Sequence, residues 1–279
     1  MKGKKLLKTI DQNKLFLLFF SLFLSLLVIV GSTYSWITYS DEHINTSKPN
    51  RRKLSATIDE QFTMNLQWKP GEKVEKRVAV RNNGQTPAFV KLSLYEFFLA
   101  FEIDIDDETG NGALKQVAKS STTPIKMDDP TTWAKGNTYK INTNSYFVAN
   151  EVIKSNTQNI GTAYKYNGVR ANTTLNYLTI QFNSTAIYTV DRRPEANQKN
   201  YWYYSNGYFY YSELLQPKEI SSELIQSVML DQNLPNRYKG SFYHLVPLME
   251  AHDNTKSLLA DWNLPPDSYE EAIYLKQVK

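Results

Sequence analysis

Residues 70–94 read PGEKVEKRVAVRNNGQTPAFVKLSL, and this stretch decides the fold class. Val74, Val78 and Val80 lie two or four apart, so on an extended chain their side chains share one face. Val90, Leu92 and Leu94 repeat the arrangement. Pro70-Gly71, Asn82-Asn83-Gly84 and Pro87 mark turns on either side. Strands separated by turns this short are expected to pair antiparallel and to open a β-sandwich.

Working outwards, residues 201–211 carry two aromatic blocks, Tyr201-Trp202-Tyr203-Tyr204 and Tyr208-Phe209-Tyr210-Tyr211, around Ser205-Asn206-Gly207. Asn-Gly between β-formers predicts a tight hairpin. Its aromatics have two readings: stacking against sugar rings at a surface, or filling the sandwich with one face while the other forms cross-strand pairs or an assembly surface. Residues 242–253 predict a further strand, with Pro247 near an edge or bulge. Asn254 or Thr255 is a candidate cap for a short helix presenting Leu258, Leu259 and Trp262 before Pro265. Leu214, Leu215, Ile220, Leu224, Ile225 and Val228 fit both helix and strand spacing. Residues 102–200 are polar and read as an insertion, with one clear strand in 174–190 whose Leu178, Ile180 and Phe182 share a face.

The composition agrees with a β-rich fold: 13% of the residues are aromatic, 19 of them tyrosine, against only 11 glycines. The formal charge of +4 resides in residues 1–35, where five lysines oppose one aspartate, so the rest is neutral. A neutral body has no bulk electrostatic attraction for nucleic acid, and Arg51-Arg52-Lys53 is too short a basic cluster to reverse that. There is no cysteine, which excludes thiol chemistry, cysteine metal sites and disulfides.

At the amino terminus, lysines precede an apolar run from Leu15 to Val30, followed by Gly31, Ser32, Thr33 and Ser35. This is the layout of a secretory signal. Sixteen helical residues reach only ~24 Å, short of the roughly 30 Å hydrocarbon core. Thr33 and Ser35 place small side chains at −3 and −1 of a cut before Trp36, with a weaker second choice after Ser40. A retained anchor is the alternative, and in both cases the body faces outwards. Residues 36–53 then read as a flexible arm and 54–279 as the folded domain.

The segment VGSTYSWITYSD, residues 30–41, resembles the signals of the TasA, camelysin and BsaA type of biofilm matrix proteins, which a specialised signal peptidase matures. Ser35 replaces the usual alanine and Ile37 the usual phenylalanine. Residues 70–94, 207–228 and 243–264 resemble three further blocks of the BsaA-type proteins in the same order, with departures at Lys218, where a glycine is usual, and at His252 and Asp253. The resemblance implies jelly-roll topology, a Gram-positive source, and a fibre subunit secreted to the matrix or cell surface. Its partners would be the specialised peptidase, the membrane during export, and other copies of itself or related matrix subunits. A cut before Trp36 would free Trp36, Ile37 and Tyr39 for strand addition to the next molecule.

Catalytic patterns are missing from the sequence. Its three histidines, His43, His244 and His252, form no HExxH arrangement. Asp104, Asp106 and Glu108 fall at EF-hand positions 1, 3 and 5, but Thr109 stands where the turn glycine belongs and no acid closes the loop. A looser surface calcium site from Asp104, Asp106 and Asp107 is the weaker reading, behind a solvated acidic turn. No G-x-S-x-G elbow occurs. The sequence therefore predicts a non-enzymatic, cofactor-free, mainly β protein: an antiparallel sandwich with an inserted elaboration and a short C-terminal helix. The rival readings are a membrane-anchored adhesin or glycan binder contacting its target through the 201–211 aromatics, and a camelysin-like metalloprotease.

Overall fold

The computed structural model describes residues 54–62, 69–106, 108–154, 163–170 and 172–279. The signal and arm residues Thr33, Ser35, Trp36, Ile37 and Tyr39 lie outside the described residues, as do His43 and Asp107. The strands are β1 (Ala56–Phe62), β2 (Lys73–Asn82), β3 (Ala88–Phe101), β4 (Gln116–Val117), β5 (Thr138–Asn142), β6 (Ser145–Lys154), β7 (Leu178–Phe182), β8 (Ile187–Tyr188), β9 (Trp202–Ser205), β10 (Tyr208–Tyr211), β11 (Ile225–Leu230) and β12 (Phe242–Asp253). Two short helices follow, α1 (Ser257–Asp261) and α2 (Tyr269–Leu275).

The fold is mainly β and built on two sheets, as the sequence predicts. The smaller sheet has the order β1-β2-β11-β7. The larger runs β4-β6-β3-β10-β9-β8, with β12 along the other edge of β3 and β5 beside β6. All pairs of named strands are antiparallel except β8 with β9. Val78 and Val80 of β2 share the interior with Val90, Leu92 and Leu94 of β3.

One expectation is corrected here. Strands β2 and β3 do not form a hairpin; they lie in different sheets. Their link carries Pro87, which has no N–H, and is held by the Asn82 amide, which donates to Thr86 O at 2.9 Å and Leu215 O at 2.8 Å. Asn82 Oδ1 also accepts from Gly84 N at 2.8 Å. The chain is thus turned across the sandwich, and both apolar faces point inwards.

Residues 102–200 are less separate from the core than their polarity suggests. Strand β6 pairs with β3 and β7 with β11, and Leu178, Ile180 and Phe182 all pack into the main core. Strand β3 organises the larger sheet. One edge pairs with β12 along residues 88–99; the other is shared by β10 at Lys91 and Leu92 and by β6 from Phe97 onwards. Between those two, Tyr164 N donates to Leu94 O at 2.8 Å. Pro247 pairs opposite Leu94. Since the Leu94 carbonyl is directed to Tyr164, the register requires no N–H from Pro247, which explains how a proline fits inside this strand.

The outer face of the larger sheet is covered by two further clusters. At one end Ile125 and Trp133 pack on Leu99, Phe101 and Phe242. At the other, Leu258, Trp262, Ile273 and Tyr274 from the C-terminal helices pack on Phe89, Tyr203 and Tyr210. Helix α1 starts later than expected: neither Asn254 nor Thr255 caps it, and Lys256 occupies the N-cap position without a side-chain bond. Helix α2 carries a cap the sequence reading missed. Ser268 Oγ accepts from Glu271 N at 3.1 Å, while the Glu271 carboxylate accepts from Asp267 N at 2.7 Å. The signal was the S-x-x-E spacing of Ser268 and Glu271.

Candidate functional site

The aromatic hairpin forms as predicted. Asn206 and Gly207 have φ of 50° and 87°, matching a two-residue turn with both central residues left-handed. The register sets Phe209 opposite Tyr204, Tyr210 opposite Tyr203 and Tyr211 opposite Trp202. Opposed residues point to the same side of a sheet, so Trp202, Tyr204, Phe209 and Tyr211 enter the main core while Tyr201, Tyr203 and Tyr210 face the C-terminal helices.

The eight aromatics therefore do not form an open contact surface. Tyr201, Trp202, Tyr203, Phe209, Tyr210 and Tyr211 are buried, and Tyr204 and Tyr208 are half-buried. The sandwich-filling reading holds for one face; the other is occupied by the protein's own helices. Trp202 Nε1 donates to Ser222 O at 2.9 Å and the Tyr274 hydroxyl to Tyr211 O at 3.0 Å. Tyr201 and Tyr269 meet through their hydroxyls at 3.0 Å. Burial, the largest cause, pushes the Tyr201 and Tyr210 hydroxyls far above the ordinary phenol range. Both are neutral at any physiological pH.

Three charged side chains of the strands are buried. The first is Glu96 of β3, 2% exposed, whose even numbering places it with Leu92, Leu94 and Phe98 on the core face. Arg170 Nη2 approaches its carboxylate to 3.2 Å, and the Tyr243 hydroxyl donates to it at 2.9 Å. Arg170 also donates to the carbonyls of Leu175 and Leu178, so one guanidinium ties β3 to the approach of β7. Burial raises the Glu96 carboxyl above its ordinary range, opposed by Arg170 and the Tyr243 hydrogen bond.

The second is Lys76 of β2, buried between Val74 and Val78 on the same face and bonded to Glu60 of β1. Burial lowers its ammonium below the usual lysine range, with Glu60 acting in the opposite direction. The third is Lys91, which is 3.0 Å from Glu250 and lies over the rings of Tyr208 at 4.2 Å and Trp262 at 5.1 Å. None of the three was expected from the sequence. For Glu96 and Lys76 the signal was a charged residue whose strand neighbours two away are apolar; Lys91, between Phe89 and Ser93, carried no such signal.

The two described histidines are far apart in role. His244 is displaced below the usual histidine range by burial first and Lys76 second, and its Nδ1 is buried without a hydrogen-bond partner. His252, at the end of β12, bonds to Asp253 and Asp261. Among the described residues no group of histidine and acidic side chains is arranged to hold a metal ion. In the acidic turn, Asp104 Oδ1 accepts from Asp106 N at 3.0 Å, and Asp106 lies 3.7 Å from Lys115. These side chains organise their own loop. No helix among the described residues is long and apolar enough to cross a membrane.

Fold and interior together define the class: a cysteine-free, two-sheet β-sandwich with a charged pair in its core and a helical cover on one sheet. No protein-family model, curated protein or solved structure matches the chain.

Proposed function

We propose that this chain is an exported structural protein of an extracellular biofilm matrix or surface fibre, whose subunits assemble by strand addition once the signal before Trp36 is removed. The observation that carries the reading is the position of β1. This strand pairs with β2 on one side only among the described residues, and it directly follows the arm that cleavage would free. A strand with one unpaired edge can take up backbone hydrogen bonds from a neighbouring subunit, which supports strand addition. The resemblance of residues 30–41 to matrix-protein signals supports the same reading, with the specialised signal peptidase and further copies or related subunits as partners. Burial of the hairpin aromatics weighs against the rival glycan-binding reading, because the rings that would stack on a sugar are already packed.

The test is the amino-terminal residue and polymeric state of the protein recovered from the native cell exterior. A chain beginning at Trp36 in high-molecular-weight material is the expected result. A chain retaining Met1 and fractionating with membrane as a monomer would replace it with an anchored surface binding protein. Chains starting at Leu54 are expected to form no fibres under conditions in which chains starting at Trp36 do; equal fibre formation by both would remove strand addition from the mechanism.

A further inference from the structure

His252 is held with both ring nitrogens directed at acceptors. Nε2 lies 2.8 Å from Asp261 Oδ2 of α1, and Nδ1 lies 2.8 Å from the Asp253 carbonyl oxygen and 3.0 Å from Asp253 Oδ1. A carbonyl oxygen and an ionised carboxylate carry no proton, so each ring nitrogen needs its own N–H to meet its acceptors. Neutral imidazole has only one, and imidazolium satisfies both.

We propose that His252 is a proton-operated clasp that fastens α1 to the end of β12. When charged, the ring donates across to Asp261 and back to Asp253. When neutral, it has one donor for two acceptors, and the link between helix and strand is the one it can lose. The second ring proton is therefore what fastens or frees the clasp. The Asp261 carboxyl is held below its usual range chiefly by the His252 hydrogen bond, which keeps the acceptor ionised in mildly acidic solution.

The surroundings limit the effect to α1. Asp253 faces the ring from its own strand and Asp261 from the helix. Strand β3 places Phe89 in register with His252, and one side-chain pair further along the same face Lys91 and Glu250 neutralise each other. Helix α2 sends Glu270 to Ser205 at 2.8 Å and Glu271 to its own amino terminus. Although Trp262 meets its Tyr274 ring edge-on at 5.5 Å, the segment has anchors of its own to the sheet, Tyr274 to Tyr211 O and Gln277 to Ser212 O at 2.9 Å. Loss of the clasp therefore loosens Leu258 and Trp262 over Phe89 and Tyr210 while leaving α2 in place.

Two measurements on the whole protein test this. Nitrogen chemical shifts of the His252 ring at about pH 5.5 should show both nitrogens protonated; a single N–H there would overturn the proposal. Hydrogen exchange, corrected for intrinsic rates, should show α1 protection falling about 1.5-fold to fivefold between about pH 5.5 and about pH 8.5, the range expected for an ion pair near the surface. Protection of α2 should stay constant. In His252→Gln and Asp261→Asn the α1 change should vanish. An unchanged α1 in the natural protein, or an equal response in both variants, would overturn the clasp. Neither result depends on whether the protein forms fibres.

Discussion

Arg170 and Glu96 meet at 3.2 Å inside the sandwich, with only 12% and 3% of their side chains exposed. A charged pair so placed stabilises little in itself, because desolvation offsets most of the attraction, but removing one partner leaves a buried charge. Arg170→Ala is expected to lower stability at neutral pH by about 3–5 kcal/mol in denaturant titration. Glu96→Gln should behave differently. Burial raises the Glu96 carboxyl in the folded state above its unfolded value of about 4.3. Its contribution is therefore fully present below that value and lost as pH rises through the folded one. Relative to the natural protein, Glu96→Gln should gain stability from pH 4 to pH 7; a constant difference would refute the assignment.

The aromatic hairpin gives a second test. Phe209 is fully buried, so Phe209→Ala should cost about 3–5 kcal/mol, read from thermal or urea unfolding. Tyr208→Ala, at a half-buried position, should cost less. Equal, small effects would return the hairpin to the surface.

Gly112 shows how the segment following β3 is fixed to the body. Its φ is +76°, and a Cβ would lie 2.2 Å from the Asn236 carbonyl oxygen. Gly110 is also left-handed, at +62°, but faces open space. Gly112→Ala should exceed the strain cost of about 1–3 kcal/mol because backbone has to move as well. Gly110→Ala should cost about 1–2 kcal/mol. Similar melting temperatures for the two variants would contradict the contact.

His244 adds an acid-sensitive element. Its folded-state titration is lowered by burial and by Lys76, so the stability it contributes is present above the unfolded histidine value of about 6.5 and lost as pH falls through the folded one. His244→Gln should lose less stability than the natural protein between pH 7.5 and pH 5. An unchanged slope would show that the ring is hydrated in solution.

The sequence by itself determined the class of fold and the positions of its main strands. Alternation at Val78, Val80, Val90, Leu92 and Leu94, the Asn206-Gly207 turn and the terminal Trp262 segment are local signals, because side-chain direction on a strand and turn conformation depend on neighbours a few residues away. The expectation that β2 and β3 would pair failed because adjacency in sequence does not choose between pairing within one sheet and crossing to the other. Here the Asn82 amide chooses, through a bond to Leu215, 133 residues away. The same reason hid the interior charges. Glu96 and Lys76 were legible as charged residues on apolar faces, but Arg170 and Glu60 become their partners only when distant segments are packed together. Whether the aromatic hairpin met solvent was likewise settled by two helices about fifty residues further on, whose apolar faces find the outer side of the larger sheet.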